Sequence, residues 1–208
     1  MKPVERIEAR DWKDGFLFVG NELILDFVNT RPTQDGVATE LLPDFASLVR
    51  WFRAAGILNE HQADELAKKW AKSTAGKRAA EQMREWRERL RKQLIAWEEG
   101  SSVDPAMVEE VNHLMAEHPI RFRLSSKTKP TTELWFEPNQ PEDLFAPLAH
   151  SVATLFAEVD RNRVRKCGQC VLHFHDTSKK GTRRWCSMQL CGNRVKVAAY
   201  ARRKRLGE

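Results

Sequence analysis

The chain has 208 residues, of which 41% are hydrophobic and 31% are charged, and its formal net charge is +6. This balance is ordinary for a soluble globular protein, and the length accommodates one larger and one small domain. The first residues lack the apolar segment of a signal peptide, and no window approaches the roughly 18 apolar residues of a membrane span, so we expect no membrane partner.

An apolar stretch at residues 16–30 opens the N-terminal part. Its first four residues predict a short buried strand, a Gly-Asn pair predicts a turn, and residues 23–28 predict a buried helix. Asp26 and Asn29 lie one turn apart on this helix. Two polar side chains in so apolar a segment either line a ligand pocket, or hydrogen-bond neighbouring backbone and hold the next loop. The second arrangement is the commoner one.

Residues 31–43 predict a loop because Pro and Asp-Gly interrupt every regular pattern. Apolar spacing and polar caps, among them Asp44 and Asn59, then predict five helices and one β-hairpin. We expect the helices at 44–55, 61–72, 76–99, 105–117 and 142–160, and the hairpin at 121–124 and 132–136. The longest helix carries one apolar stripe, formed by Met83, Trp86, Leu90, Leu94 and Trp97.

The four cysteines of the chain all lie after residue 160, which fits a reducing cytoplasm. They are Cys167, Cys170, Cys186 and Cys191, so two residues separate the first pair, four separate the second, and fifteen lie between the pairs. Two short-spaced pairs at this distance predict a structural Zn²⁺ site with four thiolate ligands. Gly168 is expected to supply a positive φ in the first turn. Disulfides and a thioredoxin-type redox pair are the alternatives, and they need an oxidising compartment or a βαβ context. His173 and His175 are expected on the surface or in packing contacts.

Residues 161–208 carry 14 Lys and Arg but only 2 Asp and Glu, which makes +12. The whole chain is +6, so the first 160 residues carry −6. A basic block of this kind fits a polyanionic partner, which could be a nucleic acid, a membrane or an acidic protein. We favour nucleic acid because a zinc-stapled basic module with an Arg-rich helix usually binds it.

A helix is predicted from Met188 to Leu206. Its polar stripe could enter a major groove, with Asn193 and Arg203 offering base-edge donors, while Leu190, Val197 and Ala201 pack on the zinc hairpin. Residues 178–185 predict a hairpin tip followed by a basic strand, and Trp185 is expected to pack over the metal site. An ordinary solvated helix face is the alternative. The candidate nucleic-acid-binding residues are Lys179, Lys180, Arg183, Arg184, Asn193, Arg194, Lys196, Tyr200, Arg203 and Lys204.

Three segments, CGQC, HDTSKKGTRRWCSMQLCGNR and KVAAYARRKR, resemble the CGNR zinc finger, which is named for the tetrapeptide found here at residues 191–194. The string LDFVNT resembles the opening signature of ABATE domains. Such domains usually precede this finger in bacterial proteins described as stress-induced transcription regulators. The resemblance implies that the four cysteines are the zinc ligands, that residues 1–160 form an ABATE-like domain, and that residues 161–208 form the finger.

The predicted fold class is α+β, with an α-rich N-terminal domain that contains a small β-hairpin and a treble-clef-like finger built from a hairpin and a helix. We expect a zinc-containing, DNA-binding transcription regulator whose N-terminal domain senses a small molecule or a stress signal. Catalysis is not expected, since no Gly-rich phosphate loop, nucleophile elbow or His-Glu-x-x-His motif occurs and four thiolates leave zinc no open position. The alternatives are a ligand-binding or catalytic N-terminal domain with a purely structural finger, and a finger that binds RNA or protein. A homodimer is a further hypothesis, since DNA regulators often form one, although the sequence has no heptad seam.

Overall fold

The computed structural model describes residues 11–34, 36–125 and 130–206. It confirms the α+β class, with helices and small antiparallel hairpins. The helices of this part are α1 Leu23–Val28, α2 Phe45–Ala54, α3 Glu60–Trp70, α4 Thr74–Glu98, α5 Pro105–Glu117, α6 Phe145–Glu158 and α7 Asn193–Leu206. None of them combines the length and apolar character that crossing a bilayer requires.

The strands of the described residues pair as four separate antiparallel hairpins. They are β1 Trp12–Lys13 with β2 Phe16–Leu17, β3 Thr33–Gln34 with β4 Val37–Ala38, β5 Arg121–Leu124 with β6 Thr132–Trp135, and β7 Val164–Lys166 with β8 His173–His175. The pair β3–β4 lies in the segment predicted to be a loop. Strands of two residues are too short to show alternation, so no pattern could have revealed them.

Polar caps set the helix boundaries close to the predicted ones. The Asp44 side chain accepts a hydrogen bond from the Ser47 backbone N–H at 2.8 Å, and the Asn59 side chain accepts one from the Gln62 N–H at 2.9 Å. Each cap satisfies a donor that the first turn of a helix leaves free. The last helix of the N-terminal part differs slightly, since a 3-10 turn at Pro141–Leu144 precedes α6.

Helix α1 lies at the centre of the molecule. All five residues from Ile24 to Val28 are buried, and α1 contacts α4, α6 and β8. The predicted apolar stripe of α4 is buried as a whole and packs into the same core. A helix of only six residues has little stability alone, so tertiary packing on its several sides maintains α1.

Buried charge also links α4 to the loop after α1. The Arg87 side chain is 1% exposed. Its guanidinium donates to both carboxylate oxygens of Glu40, at 2.8 and 2.5 Å, and to the Thr30 hydroxyl at 2.8 Å. Burial by itself would raise the pKa of Glu40, but the hydrogen bonds and charge of Arg87 outweigh it, so this pKa is lowered. The pair therefore stays ionised and holds the loop on α4.

The strand β8 packs against α1 through a side-chain amide. Asn29 ends α1 and is 1% exposed. Its Nδ2 donates to the His173 carbonyl and its Oδ1 accepts from the His173 N–H, both at 2.8 Å. These two bonds satisfy both main-chain groups of His173 in a buried position. The cysteine-containing segment is thereby held directly against the helical body.

We expect Asn29→Ala to lower the free energy of unfolding by roughly 2–4 kcal/mol, because it leaves a buried N–H and a buried C=O without partners. Chemical denaturation of the full chain measures the change. Asn139→Ala is the control, since that amide is exposed and makes one long hydrogen bond of 3.4 Å. Equal stabilities of the two variants would contradict the assigned role of Asn29.

Candidate metal centre and nucleic-acid interface

The first cysteine pair sits in the tight turn between β7 and β8. The Cys167 N–H donates to the Leu172 carbonyl at 2.8 Å and closes this turn, which presents Cys167 and Cys170 on one side. The strands themselves pair in register, with Lys166 opposite His173. The hairpin predicted for the finger is therefore present, but its tip is the cysteine turn.

The second pair comes from an irregular loop and a π-helical turn at Met188–Gly192. The Ser187 side chain caps this turn, and the Ser187 carbonyl accepts from the N–H groups of Cys191 and Gly192. The Gly168 N–H donates to the Arg184 carbonyl at 3.2 Å and joins the two halves of the site. Helix α7 begins two residues after Cys191, so the site controls where that helix starts.

The four cysteine sulfurs lie within 4.8 Å of one another and form no disulfide. The Sγ atoms of Cys170 and Cys186 are 3.7 Å apart, and those of Cys186 and Cys191 are 3.6 Å apart. Four sulfurs placed tetrahedrally at about 2.3 Å from Zn²⁺ would be roughly 3.8 Å apart. The donor set and its spacing thus fit a metal ion that prefers thiolates.

Thiols packed this closely shift one another's pKa values in opposite directions. The hydrogen bond to Cys167 raises the pKa of the Cys170 thiol to about 12, and the same interaction raises the pKa of the Cys186 thiol. The pKa of Cys167 is lowered, chiefly by its hydrogen bond with Cys170. A bound divalent cation would compensate the negative charge of several thiolates, which is how such clusters become fully deprotonated.

The role of Gly168 differs from the predicted one. Its φ is not positive, so the expectation of a left-handed turn was wrong. A Cβ on Gly168 would instead lie 3.2 Å from Cζ3 of Trp185. The indole packs closely over the cysteine turn, as predicted for Trp185, and a side chain at position 168 would require the ring to shift by a few tenths of an ångström.

The core around the cysteines includes residues from far along the chain. Leu17 and Val19 are buried against Leu172 and Phe174 in the same cluster as three of the cysteines. Two histidines on β8 bond carboxylates of the helical body. The distance from His173 Nδ1 to Glu98 Oε1 is 2.7 Å, and that from His175 Nδ1 to Glu22 Oε1 is 2.8 Å. Neither histidine belongs to the four-residue ligand cluster.

Three arginines of the basic block hold the loop at residues 176–185. Arg163 donates to the carbonyls of Asp176 and Ser178, and Arg165 donates to those of Gly181 and Arg183. Arginine is suited to this role because its planar fork offers several donors at once. The segment has no strand, so the predicted basic strand at this position was wrong.

Arg183 also turns inward. Its guanidinium donates to the carbonyls of Trp185, Cys186 and Val19, and stacks on Phe174 with 4.4 Å between the Arg183 Cζ and the ring centroid. These contacts use Arg183 to join the loop, the cysteine core and the N-terminal part. The side chain is half-buried and its donors already have backbone acceptors, so it offers less to a polyanion than an exposed arginine would, and its contact with nucleic acid stays a prediction.

The other candidate nucleic-acid-binding residues lie at the surface of the finger. Exposed are Lys179, Lys180, Arg184, Asn193, Arg194, Lys196, Tyr200, Arg203 and Lys204. Val197 was expected to pack on the hairpin, and this was wrong, because its side chain is 66% exposed. Leu190 does pack against the cysteine core. Among the side chains that the structure describes, those in the first three turns of α7 are therefore largely solvent-exposed.

Asp26 and Asn29, the candidate pocket residues, are both buried. The Asp26 carboxylate accepts from the Gly20 N–H at 2.7 Å and from the Val19 N–H, and Asn29 bonds the main chain of His173. Both side chains thus bond backbone, although Asn29 reaches β8 and not the next loop. Burial raises the pKa of Asp26 to about 7, and the backbone N–H donors oppose that shift only in part.

Two family models match the chain. Residues 21–159 match ABATE, described as a "putative stress-induced transcription regulator", and residues 163–204 match the CGNR zinc finger. The first match alone covers more than half of the chain. Both resemblances seen in the sequence are confirmed, in the expected order. A search of the curated proteins found no match.

The raised pKa of Asp26 leads to a pH-dependent effect on stability. Its pKa is about 7 in the folded chain and near the usual 3.8 when unfolded, so the folded state binds the extra proton. The contribution of Asp26 to stability therefore falls as pH rises from about 4 to about 7. We expect the melting temperature of Asp26→Asn, relative to the unsubstituted chain, to increase between pH 4.5 and pH 8. The exposed Asp64→Asn should show no such trend, and parallel curves for Asp26→Asn would contradict the assignment.

Proposed function

We propose that this chain, which belongs to the ABATE family and ends in a CGNR zinc finger, is a zinc-dependent transcription regulator whose finger binds duplex DNA. The family description favours a regulator over an enzyme. The observation that carries the proposal is the cluster of four sulfurs within 4.8 Å, which lies directly before an exposed basic helix.

Zinc is the metal that best fits the donor set. Soft thiolates select Zn²⁺ over the hard cations, and four of them complete a tetrahedral shell without an open position for water. The ion, held by Cys167, Cys170, Cys186 and Cys191, would supply a structural cross-link and no Lewis-acid chemistry. The unbonded thiols also support a reducing compartment such as a bacterial cytoplasm.

Duplex DNA is the partner that fits the surface of the finger. Between Asn193 and Leu206 the chain has six Lys and Arg and no Asp or Glu. The N-terminal end of α7, where residues of a recognition helix meet base edges, is attached to the metal-site turn. Lys179 and Lys180 are exposed on the preceding loop and would add phosphate contacts.

The helical body is proposed to receive the signal. A cavity of 250 Å³ lies beside the β5–β6 hairpin and is lined by His118, Trp135 and Asp143 among others. Ligand cavities are usually about 300–1,000 Å³ and mostly apolar, so this smaller and more polar cavity suits only a small polar effector. The hydrogen bonds of Asn29 and the His–Glu pairs join the body to the finger, so a change in the body could reach α7.

A finger that binds RNA or an acidic protein is one alternative, because a basic surface alone does not distinguish these partners from DNA. Competition between labelled duplex DNA and unlabelled single-stranded DNA, structured RNA or an acidic protein separates them. Preferred binding of RNA or protein would replace the DNA proposal.

The proposed zinc site leads to a testable prediction. Cys186→Ser removes a ligand at the centre of the cluster, and we expect the purified variant to lose most of its zinc and to unfold in the finger, since structural zinc contributes on the order of 10 kcal/mol to such modules. Native mass spectrometry counts the metal. Ser178→Ala, an exposed change that leaves all four thiols, should keep one zinc ion per chain. A metal-free native protein with intact fold would contradict the proposal.

The proposed DNA interface leads to another testable prediction. Binding to duplex DNA should weaken steeply with salt, because each neutralised phosphate contributes a slope of about −0.9 in a plot of log K against log salt. Lys196→Ala should weaken binding and reduce that slope by roughly one, as expected for one lost phosphate contact. Fluorescence anisotropy at several salt concentrations measures both. Lys68→Ala on the body, also exposed, is the control and should bind like the unsubstituted chain. A salt-independent affinity would contradict duplex binding.

A further inference from the structure

The exposed side chains of α7 include two large apolar ones. Val197 is 66% and Tyr200 is 63% exposed, and no acidic residue is near them in sequence. A single exposed apolar residue is ordinary on a protein surface. Here two of them share one face of α7 with the exposed carboxamide of Asn193, a combination suited to contact with a partner.

The arrangement of side chains around α7 indicates which class of partner fits this surface. At 100° per residue, four exposed residues fall within about 60° of one another, namely Asn193, Val197, Tyr200 and Lys204. Basic residues border this stripe on both sides: Lys196 and Arg203 on one, Arg194 and Arg205 on the other. Val195, on the opposite face, is half-buried.

A narrow stripe between two rows of cations is complementary to a major groove, whose floor presents base edges and whose two walls carry phosphates. A second copy of this helix fits poorly, because the two rows of like charge would face each other. The stripe is also too narrow for an ordinary apolar protein interface.

We infer that this stripe reads adenine–thymine base pairs, with Asn193 binding an adenine and Val197 packing on a thymine methyl group; the inference rests on the DNA-binding function proposed above. The Asn carboxamide matches the donor and acceptor of adenine N6 and N7, and the methyl group of thymine is the apolar feature of the major groove. Tyr200 and Lys204 continue the stripe toward the backbone.

The spacing along the helix is compatible with neighbouring base pairs. Val197 lies four positions after Asn193 in the helix, which is about 6 Å along the axis. Base pairs are stacked about 3.4 Å apart, so the two contacts fall within roughly two steps of the duplex. The structure thus assigns Val197 as a specificity residue and Asn193 as its partner.

The test uses the zinc-loaded full chain and the duplex most enriched by selection from a random pool. A second duplex of the same sequence has every thymine replaced by deoxyuridine, which removes only the methyl groups. We expect the thymine duplex to bind roughly fourfold more tightly, the effect of burying about one methyl group. Val197→Ala should bind both duplexes equally with an unchanged salt slope. Val195→Ala is the matched control and should keep the fourfold preference.

Equal binding of the two duplexes by the unsubstituted chain, or a Val197→Ala variant that keeps the preference, would overturn the inference. A preference that persists together with a loss of self-association in sedimentation would assign Val197 to a second copy and overturn it as well. These outcomes leave the proposed function intact, because duplex binding and its salt dependence remain. Absence of any salt-dependent duplex binding overturns both proposals.

Discussion

The carboxamide of Asn29 is the interaction on which the arrangement of this molecule depends. It satisfies the N–H and the C=O of His173 in a space from which water is excluded, and an unpaired group there would be costly. The contact is made between a six-residue helix at the centre of the body and the strand that completes the cysteine turn. Because Leu17 and Val19 extend the same contact into the core around the cysteines, the finger has a defined orientation on the body and is not carried on a free linker.

That orientation gives the basic residues two different roles. Arg163, Arg165 and Arg183 direct their guanidinium groups into the loop before Cys186, where carbonyl oxygens accept from them. These arginines fix the conformation of the loop by satisfying its carbonyl oxygens. Lys179, Lys180 and the cations of α7 whose side chains the structure describes remain exposed, so the net charge of the block overstates the charge that a polyanion would meet. The salt dependence of binding would therefore report only on these exposed cations.

Much of the architecture was predictable because local chemistry decides it. The stripe of α4 and the caps at Asp44 and Asn59 depend on residues within one or two turns, and each was found where expected. The predictions failed where the deciding neighbour is distant in sequence. The φ predicted for Gly168 was wrong, and this residue instead packs close to the indole of Trp185. Sequence spacing also gave no sign that Glu40 and Thr30 would meet the buried Arg87.

The sequence alone determined the positions of the helices, the division into an acidic N-terminal part and a basic C-terminal block, and the four cysteines as one donor set. It could do so because periodicity, charge and short-range spacing are all local properties. Tertiary structure alone decided which side chains face outward. Asn29 was a candidate pocket residue and is buried against β8, the half-buried Arg183 bonds backbone carbonyls, and Val197 was expected inside but lies at the surface. Burial is a property of the packed chain, because it depends on which distant elements cover a side chain, and no pattern within one helix contains that information.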